Sequence, residues 1–313
     1  MTTMKAVRIH SYGGPEVLAY EDAPRPVLHD DDLLIRVRAA GVNPVDWKIR
    51  EGYMHEQMNR TLPFIPGWDV AGIVEDKGPA ALDFKVGDAV YARPAIFRNG
   101  AYAEYIAVKY TEVAAKPARL DFNGAAAVPL AGLTAWQSLF DLGGLQAGHR
   151  ILIHAAAGGV GHFAVQFAKW AGARVTGTAS ASNHDFLREL GIDEIIDYTA
   201  TAFEDAAHDM DVVLDTQGGD VWTRSWKVLK KGGIMISTLH GPPEGEPMEA
   251  LNKRCAHVFV QPDALQLGEI AALIDGGHVR PEIEKIFPLR EADEAQRLNQ
   301  ADHTRGKIVL EVA

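Results

Sequence analysis

The chain has 313 residues, of which 47% are hydrophobic, 23% charged and 8% aromatic. This length favours two domains, because a single core usually stops growing at about 250 to 300 residues, and the composition excludes disordered, collagenous and coiled-coil proteins. The 31 basic and 42 acidic side chains give a net charge of −11, which disfavours nucleic acids and anionic membranes as partners.

The first 120 or so residues predict a mostly β domain, because short runs of β-forming residues alternate with Pro and Gly turns. These runs lie at 4–10, 33–42, 69–75, 88–93 and 101–108. An Ala- and Leu-rich helix is expected at 122–142.

Beyond this helix, apolar strands alternate with amphipathic helices, which predicts a doubly wound parallel sheet of the Rossmann type. Strands are expected at 150–155, 173–178, 193–197, 211–216, 232–238 and 257–261, and helices at 159–170, 184–190, 222–229 and 267–276. The segments 278–289 and 307–312 again have β character, so the tail is expected to return to the first domain.

The N-terminal segment carries Lys5 and Arg8 where a signal peptide would need an apolar stretch, so no export signal is expected. Cys255 is the single cysteine, which excludes an internal disulfide and fits a reducing cytosol. The most apolar region, 151–168, is interrupted by His and Gln, so no membrane span is expected.

A glycine-rich loop, Ala-Ala-Ala-Gly-Gly-Val-Gly at 155–161, follows a predicted strand and precedes a helix, as in a dinucleotide-binding fingerprint. Small residues let the backbone approach a pyrophosphate, and the helix N-terminus offers free N–H groups. Ala156 replaces the first glycine of the fingerprint. A tight turn without a ligand therefore remains the alternative.

The end of the next predicted strand indicates which nicotinamide cofactor binds. NAD-specific sites carry an acidic residue there, but residues 177–184 contain none, and the first acid is Asp185. Hydroxyl and amide groups can donate to a 2′-phosphate, so NADPH is favoured. Because this loop holds no Arg or Lys, a solvated polar turn is the alternative.

No metal site is expected. A catalytic zinc needs three protein ligands, commonly Cys and His. The 12 histidines form no HxxxH or HExxH pattern, and there is only one cysteine.

Four motifs occur in order along the chain: GVNPVDWKIREG at 41–52, PGWDVAGIVE at 66–75, AGLTAW at 131–136 and the glycine-rich loop. Through them the chain resembles, over essentially its whole length, the zinc-independent quinone oxidoreductase and enone reductase branch of the medium-chain dehydrogenase/reductase superfamily. The superfamily's zinc alcohol dehydrogenases have Cys where Asn43 stands and a His-Glu pair where Trp68 and Asp69 stand.

The resemblance implies a GroES-like catalytic domain formed by 1–123 and 279–313, and a Rossmann nucleotide-binding domain formed by 124–278. It implies that Asn43 and Thr134 lie beside the nicotinamide. Lys48 resembles a lysine that would stabilise the enolate or hydroquinone oxygen. Two alternatives stay open: Asn43 and Pro44 also resemble the N-cap and first residue of a helix, and Lys48 would otherwise be a solvated surface residue.

The resemblance further implies cofactor contacts, most of them through the backbone. These are Ala157, Gly158, Gly159 and Val160 at the pyrophosphate, Ser180 at the 2′-phosphate, Tyr198 at the adenosine, and Leu239, His240, Val258, Phe259 and Val260 at the nicotinamide. Tyr198 could instead be a strand-end aromatic residue without a ligand.

Together these features indicate a cytoplasmic oxidoreductase that transfers hydride from NADPH to a quinone or an α,β-unsaturated carbonyl compound, with neither zinc nor flavin. The resemblance also implies a homodimer. Two alternatives are kept: a reductase of another activated alkene such as an enoyl thioester, and an NADPH-binding protein with little turnover.

Overall fold

The computed structural model describes residues 2–58, 61–239, 252–301 and 304–312. The chain forms two compact units. The first comprises Met1–Leu133, Gln261–Gly277 and Pro281–Ala313, and the second comprises Thr134–Val260 and His278–Arg280. The domain boundaries expected at 123/124 and 278/279 stay predictions.

The described strands are β1 (Thr3–Ile9), β2 (Leu18–Pro24), β3 (Asp32–Val42), β4 (Val70–Lys77), β5 (Ala89–Ala92), β6 (Tyr105–Lys109), β7 (Val113–Ala115), β8 (Arg150–Ile153), β9 (Arg174–Ala179), β10 (Glu194–Asp197), β11 (Met210–Asp215), β12 (Leu229–Ser237), β13 (Arg254–His257), β14 (Ile283–Pro288) and β15 (Lys307–Glu311). The described α-helices are α1 (Pro44–Arg50), α2 (His55–Met58), α3 (Phe122–Ala126), α4 (Pro129–Trp136), α5 (Gly161–Trp170), α6 (His184–Glu189), α7 (Phe203–Ala206), α8 (Gly219–Ser225), α9 (Ala264–Asp275) and α10 (Ala292–Gln300).

The first unit is built around a seven-stranded sheet in the order β14-β15-β3-β4-β5-β7, with β6 also paired to β3. Strands β1 and β2 form a separate antiparallel pair. Along β3 the side chains of Leu33, Ile35 and Val37 alternate inward and are buried, since one face of the sheet forms the core of this unit. Ile308 and Leu310 of β15 join the same core.

The second unit contains a six-stranded sheet in the order β10-β9-β8-β11-β12-β13, in which every pair is parallel. The strand order reverses between β8 and β11. In such sheets ligands bind outside the carboxyl ends of the strands at this reversal point. The expected fold class, a Rossmann-type sheet plus a mostly β domain, is confirmed.

Two local predictions were wrong, and one helix was not predicted. Helix α8 ends at Ser225 and not at 229, because Leu229 pairs with Met210 at the start of β12. A short apolar run fits a helix or a strand equally well. The edge strand β13 lies at Arg254–His257 and not at 257–261. Helix α10 was not predicted, because it buries small residues such as Ala292 and Ala295, which give a weak apolar pattern.

Within the described ranges, no helix is long and apolar enough to cross a membrane.

Candidate functional site

Three neighbouring strands of the first unit bring polar residues together at one buried point. Asn43 follows β3, Asp69 precedes β4, and Lys307 opens β15. Because Val42 pairs with Ile308 in the antiparallel β3–β15 ladder, Lys307 lies opposite Asn43. All three polar residues are at most 3% exposed.

The side chains of this buried cluster form a closed set of hydrogen bonds. The Asn43 amide nitrogen Nδ2 donates to Asp69 Oδ2 at 2.7 Å. Lys307 Nζ donates to the Val42 carbonyl at 3.1 Å, to Asp69 Oδ2 at 3.2 Å and to Asn43 Oδ1. The amide of Asn43 therefore has one fixed orientation, with its oxygen on the cation and its nitrogen on the carboxylate.

Asp69 is the anion of this cluster. Its Oδ1 accepts the backbone N–H of Leu130 at 2.5 Å. Burial raises its pKa, and the Lys307 charge and the Asn43 and Leu130 donors oppose that shift. A buried carboxylate is tolerable only when it is paired and hydrogen bonded in this way.

Helix α1 starts at this cluster. Asn43 is its N-cap residue with an extended backbone, and Pro44 is its first helical residue. The capping bond runs from the Asn43 N–H to Asp46 Oδ2 at 2.8 Å, and this oxygen also accepts the Tyr102 hydroxyl at 2.8 Å. Burial raises the pKa of Asp46 to about 7, although both donors act against the shift.

The other end of α1 is held by Arg50, whose guanidinium is fully buried. It donates to the Gly13 carbonyl at 3.1 Å, to Gln296 at 2.8 Å and to Glu51 at 2.7 Å. Lys48 lies between these two anchors, half-buried, with its Nζ 5.6 Å from the centroid of the Trp47 ring. Rigid support at both ends of the helix therefore fixes the backbone that carries Lys48.

The glycine-rich loop of the second unit runs from β8 to α5. A Cβ on Gly161 would lie 2.2 Å from the Ala155 carbonyl oxygen, so only glycine fits at the helix start. Ala156 is accommodated at the first fingerprint position because its neighbour Gly177 has no side chain; a Cβ there would lie 2.6 Å from the Ala156 Cβ. The close strand-to-helix turn of a dinucleotide site is present despite the imperfect pattern, and its small residues fit a dinucleotide.

The end of β9 presents the polar groups considered for the 2′-phosphate. Ser180 Oγ lies 3.1 Å from Ser182 Oγ, and Asn183 Nδ2 donates to Ser180 Oγ at 3.4 Å. The acid nearest in sequence, Asp185, is 93% exposed and paired with Arg188 at 2.6 Å. The end of β9 thus offers hydroxyl and amide groups to a ligand.

The remaining sequence-predicted cofactor residues also follow carboxyl ends of the parallel strands. Tyr198 follows β10 and is exposed, Leu239 follows β12, and the partly exposed pair Phe259 and Val260 comes after buried Val258 beyond β13. The topology thus brings them to one edge of the sheet. His240 lies outside the described residues. Thr134 is buried in α4.

The described part of the chain has no group of three or more His, Cys, Asp or Glu side chains that could hold a metal ion. His154 shows that a single histidine need not be a metal ligand. Both its ring nitrogens have partners, Ser225 Oγ at 2.8 Å and Thr178 Oγ1 at 3.3 Å, and burial lowers its pKa to about 4. It is a neutral histidine of the interior.

Two family models match the chain. Residues 29–118 match the alcohol dehydrogenase GroES-like domain, and residues 190–310 match a family described as zinc-binding dehydrogenase. Among characterised relatives, the NADPH-dependent alkenal/one oxidoreductase of Arabidopsis thaliana chloroplasts is 36% identical, covering 98% of this chain and 79% of that protein. The mouse mitochondrial NAD(P)H oxidoreductase RTN4IP1 is 34% identical, covering 99% of this chain and 90% of that protein.

Among solved structures, the quinone oxidoreductase from Coxiella burnetii superposes with a TM-score of 0.92 at 35% identity, and the match covers all of both chains.

The zinc named in the second family description does not fit the residues present. At the positions discussed above, Asn43, Trp68 and Asp69 offer an amide, an indole and one carboxylate, which lack the thiolate and imidazole donors that zinc prefers. The Asp69 carboxylate is already bound by the Lys307 ammonium, which would repel a second cation.

Proposed function

The chain belongs to the quinone oxidoreductase and enone reductase branch of the medium-chain dehydrogenase/reductase superfamily, and we propose that it is an NADPH-dependent reductase of quinones and α,β-unsaturated carbonyl compounds that needs neither zinc nor flavin. The observation that carries this proposal is the glycine-rich turn closed by Gly161, which leads into the N-terminus of α5 beside an acid-free end of β9. The names of the relatives support the same reaction class.

The chain supplies binding groups for the cofactor. The backbone N–H groups of 157, 159 and 160, just before α5, would hold the pyrophosphate, because a helix N-terminus attracts anions. The N–H of Gly158 already donates to the Ala155 carbonyl at 2.9 Å. Ser180 and Asn183 would donate to the 2′-phosphate. The bound nicotinamide supplies a hydride, and the adjoining loops after β10, β12 and β13 would line the rest of the cofactor.

The first unit supplies groups for the electrophile. When hydride adds to the β-carbon of an enone, an electron pair moves onto the carbonyl oxygen, and the resulting enolate is protonated at the α-carbon. The Lys48 ammonium would stabilise that oxygen, since a preorganised cation favours developing negative charge. Asn43, with its amide orientation set by Lys307 and Asp69, and Thr134 would orient the nicotinamide.

The proposal is tested by following NADPH oxidation at 340 nm with a benzoquinone, 3-penten-2-one and an enoyl thioester, with buffer alone as control. We expect turnover of the quinone or the enone. Efficient turnover of the thioester alone would make the protein an enoyl thioester reductase. Tight NADPH binding with negligible oxidation of every compound would make it a binding protein and contradict the proposal.

We also propose a cytoplasmic homodimer. Strand β13 is an edge of the described six-stranded sheet and could pair with the same strand of a second copy. Burial raises the pKa of the Cys255 thiol to about 11, which keeps it protonated and unreactive, and a single cysteine fits a reducing cytosol. Light scattering gives the oligomeric state directly; a monomer at micromolar concentration would contradict the dimer.

A further inference from the structure

Arg93 is a cation of the first unit that is buried directly after β5. It is only 3% exposed, and its Nε is buried with no acceptor. Throughout the ranges that the structure describes, the guanidinium makes no hydrogen bond and no ion pair. A guanidinium carries five N–H donors and does not lose its charge in proteins, so leaving it unsatisfied in the interior is strongly unfavourable.

The position of Arg93 places it beside the buried cluster of Asn43, Asp69 and Lys307. It directly follows β5, whose last residue, Ala92, pairs with Val70 on one side and Val113 on the other. Arg93 therefore stands in a row between Asp69 and Glu112 at the ends of three neighbouring strands. Burial lowers its pKa, and the charges of these two acids oppose that shift.

Neither acid is hydrogen bonded or ion-paired to the guanidinium. Asp69 binds Asn43, Lys307 and the Leu130 N–H, as described above. Glu112 accepts the backbone N–H of Ala95 at 2.9 Å, and burial raises its pKa. The donors of Arg93 thus remain available next to the candidate site.

We propose that Arg93 binds a carboxylate of the substrate, so that the preferred electrophiles are α,β-unsaturated carbonyl compounds that carry a carboxylate group. This inference rests on the proposed function. The planar fork of a guanidinium matches the two oxygens of a carboxylate and forms two parallel charge-assisted hydrogen bonds. Lys48 then remains for the reacting oxygen, and Arg93 fixes the far end of the molecule.

A small matched pair of substrates tests this assignment: (E)-6-oxohept-4-enoate and its methyl ester. Two methylene groups separate the carboxyl group from the enone, so the two compounds have the same activated double bond and differ in charge. In both reductions NADPH supplies a hydride and becomes NADP⁺, a proton adds to the other alkene carbon, and the carboxylate or ester is unchanged. Steady-state kcat/KM is measured for wild type, Arg93→Met and Arg93→Lys. Arg36→Met, a change at an exposed arginine of the same unit, is the control.

We expect wild type to prefer the acid, and Arg93→Met to lose about 10- to 150-fold in kcat/KM for the acid, the range for a hydrogen bond to a charged group, with little change for the ester. Arg93→Lys should recover part of the loss. Equal losses for acid and ester, or a wild-type preference for the ester, would overturn the assignment.

Binding of the saturated acid 6-oxoheptanoate, measured by calorimetry with the NADPH-loaded protein, gives a readout that needs no turnover. We expect Arg93→Met to weaken this binding by a similar factor and to leave the melting temperature unchanged or higher, because an unpaired buried charge is removed. A lower melting temperature with unchanged binding would assign Arg93 a structural role. If wild type binds this acid but reduces neither alkene, the proposed function fails and the Arg93 site stands.

Discussion

The Lys307 ammonium donates a hydrogen bond to the amide oxygen of Asn43, although the two residues are 264 positions apart in the chain. Both are buried, and both also contact the Asp69 carboxylate. A lysine from the last strand therefore sets the orientation of an amide at the start of the helix that carries Lys48. The C-terminal segment is in this way part of the candidate site.

Replacing Lys307 by Met should destabilise the protein by about 3 to 5 kcal/mol, because it leaves the buried Asp69 carboxylate without its cation. The double variant Lys307→Met/Asp69→Asn should be more stable than Lys307→Met alone. Urea unfolding measures both, with the exposed Lys109→Met as control. A Lys307→Met protein as stable as wild type would show that the pair contributes nothing to folding.

Asp46 should make the protein less stable as the pH rises from about 4 to 7. Its pKa in the folded state is about 7, above its ordinary value of 3.8, so the folded state holds a proton that the unfolded state has released within this window. This contribution, on the order of 4 kcal/mol, is complete below pH 4 and lost above 7. The free energies of unfolding of wild type and Asp46→Asn at pH 5 and pH 8 isolate this contribution. The same change with pH in both proteins would contradict it.

Gly161→Ala should weaken NADPH binding and lower the melting temperature. Alanine normally stabilises a helical position by up to about 1 kcal/mol relative to glycine, but this Cβ would lie 2.2 Å from the Ala155 oxygen. Gly268→Ala in α9 is the matched control, since its Cβ meets no atom within 4 Å and should be neutral or stabilising. If both variants behave alike in melting and in fluorescence titration, the turn is not tightly packed.

NADPH should be preferred over NADH by roughly 10-fold, the lower end expected for charge-assisted hydrogen bonds to the 2′-phosphate, because hydroxyl and amide groups provide them without a cation. Ala179→Asp should weaken NADPH selectively, since the new carboxylate would lie at the end of β9 near the phosphate. The ratio of kcat/KM for the two cofactors measures this. Equal or better efficiency with NADH in wild type would refute the preference.

Lys48→Ala should reduce kcat and kcat/KM together by about 100- to 1,000-fold and leave the NADPH dissociation constant nearly unchanged, because the ammonium acts on the developing oxyanion. Lys48→Arg should restore only part of the rate, since a planar fork differs in reach from a point charge. Melting curves verify that the variants fold. Wild-type rates in a folded Lys48→Ala protein would show that Lys48 is a solvated surface residue without a role in catalysis.

Sequence patterns predicted the features that depend on residues close together in the chain. The alternation of buried and exposed residues in β3, the strand and helix alternation after 150 and the glycine-rich turn could all be read from the sequence, because each depends on neighbours within a few positions. The junction of α8 and β12 was misassigned, since the apolar residues Val228 and Leu229 fit the end of a helix as well as the start of a strand.

The buried polar groups could not be predicted in the same way. Lys307 and Asp69 meet only because β3 lies between β15 and β4, and nothing near either residue in the sequence indicates the other. The isolation of Arg93 depends on how the acids of the two neighbouring strands are placed around it. Long-range pairing and the satisfaction of donors are properties of the fold.

Hydride transfer from NADPH to the β-carbon is tested most directly by a single-turnover reaction with NADPH deuterated at C4 of the nicotinamide and an enone, followed by NMR of the product. We expect one product molecule per NADPH consumed, with deuterium from one face of the nicotinamide at the β-carbon and a solvent proton at the α-carbon. Oxidation without deuterium in the product, or bound NADPH that stays reduced in the presence of every quinone and enone tested, would contradict it.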